Sequence, residues 1–111
     1  MDRDILQYCN VNSDVDLAGA AELLRALGNP VRLAIVVELA AGERCVHELV
    51  EVTGVTQPLV SQHLRVLRGA RLIIGTRRGR EMAYELVDDH VAHIAMDAVR
   101  HAAEDHDTAN R

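Results

Sequence analysis

The near absence of aromatic side chains constrains the fold most: the 111 residues include two Tyr, no Phe and no Trp. A chain of this length supports one small domain with a single core. That core must be built from Leu, Val, Ile and Ala, which favours packed helices over other arrangements. The sequence therefore predicts a mainly α-helical domain.

Capping and helix-breaking residues divide the chain into helical segments. Ser13 and Asp16 resemble a capping box at the start of a first helix, and Gly28 ends that helix. Asn29 and Pro30 form a typical start for the second helix, because Asn caps well and Pro is tolerated at the first helical position.

The middle of the chain has the pattern of a helix-turn-helix followed by a β-hairpin. A short helix from His47 to about Val52, a turn containing Gly54 and a longer helix over 57–70 are typical of the first motif. Strand-like ends around a Gly- and Arg-rich turn predict a hairpin over 72–87. A last helix is expected from about residue 89 to about residue 105.

The predicted fold is a winged helix-turn-helix, mainly α with a small β-hairpin, in the order α-α-α-α-β-β-α. We expect this domain over 13–106, between a flexible N-terminal arm over 1–12 and a flexible tail over 107–111. Another small α+β domain is the alternative that these elements alone leave open.

The distribution of charge favours the winged helix-turn-helix. The net charge is −5, yet residues 60–80 contain six arginines and no acid, whereas residues 81–107 contain eight acids and one arginine. Gln and Arg on the second helix of the motif suit base edges, and arginines in the hairpin suit phosphates or the minor groove. The residues predicted to contact double-stranded DNA are Gln57, Ser61, Gln62, His63, Arg65, Arg77, Arg78 and Arg80.

Four of the six histidines lie in the last predicted helix, in the stretch DDHVAHIAMDAVRHAAEDH. His90 and His101 would face the same way to within about 20°, but about 16 Å apart along the axis. One helix cannot close a zinc site with them, because zinc ligands lie about 2 Å from the ion. Two antiparallel copies could join Asp88 and His90 of one chain to His101 and Glu104 of the other. The alternative is a merely solvated polar helix.

A slim apolar stripe on the same helix predicts close approach of the two copies. Its members are Val91, Ile94, Ala95, Ala98 and Ala102. The expected metal content is two zinc ions per homodimer, with cobalt, nickel or cadmium as alternatives.

Several stretches of the chain, over about residues 17–105, resemble the ArsR/SmtB family of metal-sensing winged-helix repressors. They are LGNPVRLAIVVEL, ERCVHELVEVTGVTQPLVSQHLRVLR, GRE followed by AYEL, and the terminal D-x-H…H-x-x-E. The resemblance implies a homodimer through the first and last helices that binds operator DNA with an inverted repeat. It also implies that zinc or a similar metal releases the DNA and derepresses metal efflux or homeostasis genes.

The resemblance implies a second metal site as well. Cys45 and His47 fall where the family has a thiol motif, Glu48 lies near another ligand position, and Cys9 could come from the arm of the other chain. Two alternatives remain open: a buried Cys45 that binds no metal, and a thiol-redox-responsive repressor in which Cys9 and Cys45 bridge on oxidation.

Other classes of protein are disfavoured. Two cysteines are too few for a disulfide scaffold and fit a reducing cytoplasm. The longest apolar stretch, LAIVVELAA, contains Glu38 and cannot span a membrane. A metal shell closed by four protein ligands leaves no position for a hydrolytic water, so no enzyme is expected.

Overall fold

The structure, a computed structural model, describes the backbone of residues 15–109 and the side chains of residues 15–104. Five helices and three strands follow one another: α1 Leu17–Leu27, α2 Pro30–Ala40, β1 Arg44–Cys45, α3 Val46–Thr53, α4 Gln57–Gly69, β2 Ile73–Arg78, β3 Glu81–Leu86 and α5 Asp89–Ala109. The predicted winged helix-turn-helix is confirmed, with β1 as an addition. The predicted arm over 1–12 lies outside the described residues, and α5 continues beyond its expected end near residue 105.

Short polar side chains begin the first two helices. Asn29 Oδ1 accepts hydrogen bonds from the backbone N–H groups of Val31 at 2.9 Å and Arg32 at 3.1 Å, which confirms the predicted start of α2. Asp16 is itself the N-cap of α1, since its Oδ1 accepts from Gly19 N at 2.8 Å. The expected capping box placed Asp16 inside the helix; Ser13, its other member, lies outside the described residues.

The core is aliphatic, as the composition predicts, and α2 lies at its centre. α2 packs against the other four helices and against β3, and its Ile35 and Val36 are fully buried. Val91 and Ala95 of α5 are also buried within the chain. The predicted interface stripe is therefore wrong for these two residues, because they hold α5 against its own core. No helix within residues 15–109 is long and apolar enough to cross a bilayer.

The wing is a three-stranded antiparallel sheet in the order β1-β3-β2. The pairing of Arg78 with Glu81 leaves a two-residue loop whose first residue, Gly79, has a φ of 64°, as the tight turns of hairpins require. Cys45 of β1 pairs with Ala83 of β3. Directly paired residues, and residues two apart on one strand, point to the same face. Cys45, Arg78 and Glu81 therefore share one face of the wing.

A Schellman motif joins α4 to the wing. The N–H of Leu72 donates to Leu67 O at 3.0 Å, and the N–H of Arg71 donates to Arg68 O at 3.0 Å. Arg71 has a φ of 63°, and the side chains of Leu67 and Leu72 are both buried. This turn fixes the direction in which the hairpin leaves the end of α4.

Candidate nucleic-acid interface and metal sites

Helices α3 and α4 form the helix-turn-helix, with Gly54 in the left-handed conformation between them at φ 73°. Val60, Leu64 and Leu67 bury one face of α4, as their spacing predicts. Of the α4 residues expected to contact DNA, Gln57, Gln62 and Arg65 are exposed, whereas Ser61 and His63 are half-buried. α4 thus presents a polar and basic face to solvent.

His63 contacts α2 through one ring nitrogen. Arg32 of α2 makes this contact, because one of its guanidinium nitrogens lies 3.3 Å from His63 Nδ1. The Nε of Arg32 donates a second hydrogen bond to Ala26 O at 2.6 Å. Arg32 therefore links the end of α1 to the middle of α4. The sequence pattern gave no indication of this link, because the two partners are 31 positions apart.

The three wing arginines that were expected at DNA are all exposed. Arg78, however, forms a bidentate ion pair with Glu43. Its Nε donates to Oε1 at 3.2 Å, and a terminal guanidinium nitrogen donates to Oε2 at 3.1 Å. Residues 60–80 contain no acid of their own, so the carboxylate that neutralises Arg78 comes from outside this segment. Within residues 15–104, Arg65, Arg77 and Arg80 form no ion pair.

The start of α5 brings Asp88 and His90 together. Asp88 Oδ1 accepts a hydrogen bond from Val91 N at 3.1 Å, which caps the helix, and lies 3.7 Å from His90 Nδ1. Ligand atoms of a tetrahedral zinc site, with bonds of about 2.0–2.2 Å, lie roughly 3.3–3.6 Å apart. The pair is therefore close to the spacing of two ligands on one ion, and a second carboxylate oxygen of Asp88 is left for coordination.

The other two predicted ligands, His101 and Glu104, lie further along the same helix, and both are exposed. α5 is continuous between His90 and His101, so one chain keeps the two pairs apart, as the helical spacing requires. Among the described residues, Asp88, His90, His101 and Glu104 form no cluster of three donors. A four-ligand site on α5 thus needs a second copy of the helix.

An apolar groove between α1 and α5 lies beside these pairs. Its lining is Leu24, Leu27, Gly28, Leu33, Ile94, Ala95 and Ala98. Leu24 is 57% exposed although it is a large aliphatic residue. Ile94 is about 40° around α5 from His90, so the groove and the ligands occupy neighbouring parts of one helix face.

A second group of metal-ligand types meets within one chain. Ligand atoms of Cys45, His47 and Glu81 all lie within 4.8 Å of one another, and His47 Nδ1 is 2.7 Å from Glu81 Oε1. In the structure, Glu81 lies beside Cys45 and His47 in the place that the prediction gave to Glu48. Glu48 Oε1 instead accepts from Cys45 N at 2.7 Å, because a Glu at the third helical position satisfies a free N–H at the helix start. Cys9 lies outside the described residues.

The electrostatics of this group bear on the redox alternative. The hydrogen bond that the His47 ring donates to the Glu81 carboxylate raises the pKa of His47, and the negative charge of Glu81 raises it further. Burial raises the pKa of the Cys45 thiol, and the carboxylates of Glu81 and Glu48 raise it further. A redox-sensing thiol needs a lowered pKa, so these surroundings disfavour Cys45 as a reactive thiolate in the metal-free chain.

A helix-turn-helix with an exposed polar helix and an arginine-bearing wing defines a winged-helix, DNA-binding type of module. A profile of the bacterial regulatory protein, arsR family, matches residues 29–74, which span α2 to the start of β2. The chain belongs to this family, whose members are regulators and not enzymes.

Two curated relatives come from Mycobacterium tuberculosis. The HTH-type transcriptional repressor SmtB is 58% identical over 89 residues, covering 80% of this chain and 66% of SmtB, so the chain spans about two thirds of that relative. The HTH-type transcriptional regulator NmtR is 42% identical over 85 residues, covering 77% of this chain and 71% of NmtR.

One solved structure is similar over most of the chain. It is the homodimeric winged helix-turn-helix DNA-binding domain of Mb0332 from Mycobacterium bovis, which is 31% identical with a TM-score of 0.71. The similarity covers 81% of this chain and 82% of that domain.

Proposed function

We propose that the chain is a homodimeric transcriptional repressor that binds operator DNA and is released by zinc or a similar divalent metal. The observation that carries this proposal is the arrangement of donors on α5. Two pairs, Asp88 with His90 and His101 with Glu104, lie at two levels of one helix beside an exposed apolar groove. That arrangement suits ligands shared between two copies.

The DNA-binding part of the proposal is supported by side chains on two elements. Gln62 and Arg65 on α4 are exposed and suit adenine and guanine edges. Arg77 and Arg80 on the wing suit phosphates. A two-fold dimer presents α4 twice, so the expected operator is an inverted repeat. The name of the relative SmtB, a transcriptional repressor, is consistent with this role.

The proposed dimer uses the groove between α1 and α5. Leu24 exposes a large aliphatic side chain at this groove, which Ile94 and Ala98 of α5 also line, and burying it against a second copy would remove apolar surface from water. The antiparallel α5 helices would then bring the His90 end of one protomer to the His101 end of its partner. The similar domain of Mb0332 is homodimeric.

The donor set favours zinc. Two imidazole nitrogens and two carboxylate oxygens are ordinary zinc ligands, and four of them complete a tetrahedron. Cobalt suits the same geometry, whereas nickel generally takes more ligands; cadmium is a further alternative. Two such sites are expected per dimer.

A duplex-selection experiment tests the proposal. The metal-free protein is used to select sequences from a random double-stranded library, which should enrich an inverted repeat. Fluorescence anisotropy on the selected duplex should then show release when zinc is added. His101→Ala should bind the duplex without responding to zinc, because one ligand of each site is lost.

His93→Ala is the matched control, since His93 is an exposed histidine on the same helix outside the proposed ligand set. It should respond to zinc as the original protein does. If His101→Ala and His93→Ala release DNA over the same zinc range, α5 does not hold the regulatory metal.

The DNA surface has its own test. Gln62→Ala and Arg65→Ala should each relax base preference by roughly 1–3 kcal/mol, whereas Arg77→Ala should weaken all sequences alike and lower the salt slope by about 1. Arg100→Ala on α5 is the control. An unchanged salt slope for Arg77→Ala would exclude a phosphate contact by that residue.

A further inference from the structure

We propose that Arg32 positions His63 for DNA binding: it holds one ring nitrogen of His63 as an acceptor, so that the other nitrogen carries the proton and donates to a DNA phosphate. Arg32 is in the first turn of α2, and His63 is in the middle of α4. The inference rests on the proposed function, since it gives both residues a role in the DNA-binding surface.

The guanidinium of Arg32 is held in place from the side of α1. Its Nε donates to Ala26 O at 2.6 Å, and one terminal nitrogen donates to Arg25 O at 3.5 Å. Both carbonyls belong to the last turn of α1, where the usual partner four residues further along the helix is missing. Because the guanidinium is planar, these two contacts fix the direction of its remaining terminal nitrogen.

That remaining nitrogen determines which nitrogen of the His63 ring carries the proton. It lies 3.3 Å from His63 Nδ1. A guanidinium has N–H donors and no acceptor, so Nδ1 accepts in this contact and cannot carry a hydrogen. A neutral imidazole has one protonated nitrogen, and in His63 that nitrogen is therefore Nε2.

The Nε2–H of His63 reaches the surface of the domain. His63 is half-buried because it lies only about 40° around α4 from the fully buried Leu67. Among the described residues, the His63 ring hydrogen-bonds through Nδ1 alone, and no buried side-chain nitrogen or oxygen lacks a partner. Nε2 is therefore in contact with solvent, and its N–H is free to donate to a molecule outside the chain.

The position of His63 on α4 favours a phosphate as that acceptor. Gln62 and Arg65 are exposed and are proposed to approach base edges. His63 lies about 100° around the helix from Gln62 and about 160° from Arg65, on the flank that contacts α2. A recognition helix in the major groove has a phosphate backbone along each flank. A phosphate oxygen accepts strongly from a neutral N–H, so His63 needs no charge for this contact.

A substitution that separates the two ring nitrogens tests the contact with DNA. The side-chain oxygen of Asn can take the place of Nδ1, whereas Asn is too short to reach the place of Nε2. His63→Asn therefore keeps the acceptor for Arg32 and removes the donor to DNA. It should weaken binding about tenfold to the selected duplex and to other sequences alike. The salt slope should stay unchanged, because a neutral donor releases no counterion.

A double-mutant cycle tests whether Arg32 acts through His63. Arg32→Met should weaken binding about fivefold, because the ring is no longer held with Nε2–H outward. In a His63→Asn background the same substitution should cost less than about twofold, since the donor is already lost. An equal cost in both backgrounds would contradict the proposal. Arg32→Lys keeps the charge but not the planar fork, so it should behave as Arg32→Met does.

Arg25→Met is the matched control for the loss of positive charge. Arg25 is exposed on α1 and lines a surface pocket together with Arg32, but it has no hydrogen bond to His63. Its effect on DNA affinity should be the same in the original protein and in His63→Asn. Far-ultraviolet circular dichroism establishes that each variant is folded, and Arg32→Lys replaces Arg32→Met in the cycle if Arg32→Met does not fold.

The position of the ring proton is measured on the metal-free protein without DNA. Long-range ¹H–¹⁵N correlation spectra distinguish a protonated ring nitrogen from an accepting one, and the His63 signals are those missing in His63→Asn. At neutral pH, Nδ1 should have the shift of an accepting nitrogen and Nε2 that of a protonated one. In Arg32→Met the two shifts should move toward each other. A proton on Nδ1 in the original protein would overturn the proposal.

Failure of this inference is distinguishable from failure of the proposed function. If the original protein binds the selected duplex and His63→Asn binds it equally well, His63 makes no phosphate contact, and the DNA-binding role of the chain stands. If the original protein binds no duplex, the proposed function fails and the role of Arg32 and His63 fails with it, whichever nitrogen carries the proton.

Discussion

Arg71 occupies a backbone conformation that normally favours glycine, and replacing it should stabilise the chain. Its φ of 63° lies at the left-handed position of the Schellman motif after α4. A side chain costs about 1–2 kcal/mol in this conformation. Glycine loses more freedom on folding, which offsets about 0.5–1 kcal/mol of the gain. Arg71→Gly should therefore raise the free energy of unfolding by about 0.5–1 kcal/mol, net of these two effects.

Urea denaturation of the metal-free protein measures this change, at one fixed protein concentration because association and metal binding also shift stability. For a domain of this size the gain corresponds to a rise in Tm of roughly 2–6 °C. Arg68→Gly is the matched control, since Arg68 is exposed in the last turn of α4. It should lower stability by about 1 kcal/mol, the usual cost of Gly in a helix.

If Arg71→Gly lowers stability as much as Arg68→Gly does, the left-handed conformation at residue 71 carries no strain. The affinity for duplex DNA should decrease in Arg71→Gly, although the free energy of unfolding increases. Arg71 is exposed and lies within residues 60–80, which contain six arginines and no acid. Residues with strained backbones persist in proteins mainly where function needs them. We therefore expect Arg71→Gly to be more stable and to bind duplex DNA more weakly.

Three further predictions follow from individual contacts. Leu24→Glu should dissociate the proposed dimer, because it puts a charge on the exposed apolar groove; an unchanged sedimentation coefficient would contradict this use of the groove. Glu43→Gln should strengthen DNA binding by up to about fivefold by releasing Arg78 from an exposed ion pair worth at most about 1 kcal/mol, and an unchanged affinity would place Arg78 away from the DNA. By NMR, the pKa of His47 should exceed its ordinary value and fall in Glu81→Gln. Since folding raises this pKa, the pair stabilises the fold below about pH 6.5, and that effect is lost as the pH rises through the folded-state pKa.

The helices were predictable from the sequence because their limits are set by local chemistry. Asn29 and Pro30 begin α2 through hydrogen bonds to residues two and three positions away. Gly54 ends α3 because its φ of 73° suits glycine. The burial of Val60 and Leu64 on α4 follows from their spacing of four. Each of these features is contained in a window of a few residues.

The missed contacts all join residues that are distant in sequence. β1 has two residues, too few to show the alternation that identifies a strand. Without β1, nothing in the sequence brings Glu81 to Cys45, and the family resemblance indicated Glu48 instead. The pairing of Arg78 with Glu43 spans 35 positions and likewise depends on the wing register. These positions follow from sheet pairing and packing, which local patterns do not determine.

The proposed α5 site and the group of Cys45, His47 and Glu81, where the family resemblance implies a second site, differ in what would complete them. This difference gives one test that treats both together. The α5 site needs ligands from two protomers, whereas Cys45, His47 and Glu81 are gathered by one chain. Dilution below the dimer dissociation constant, or Leu24→Glu, should therefore abolish four-coordinate cobalt at α5. If cobalt(II) binds the group that contains Cys45, its near-ultraviolet thiolate-to-cobalt band should persist under the same conditions, because β1 and β3 pair within the chain. Loss of both signals on dissociation would mean that the thiol site also draws a ligand from the partner protomer. Persistence of four-coordinate cobalt at α5 in the monomer would overturn the shared site, because one helix cannot bring both ligand pairs to a single ion.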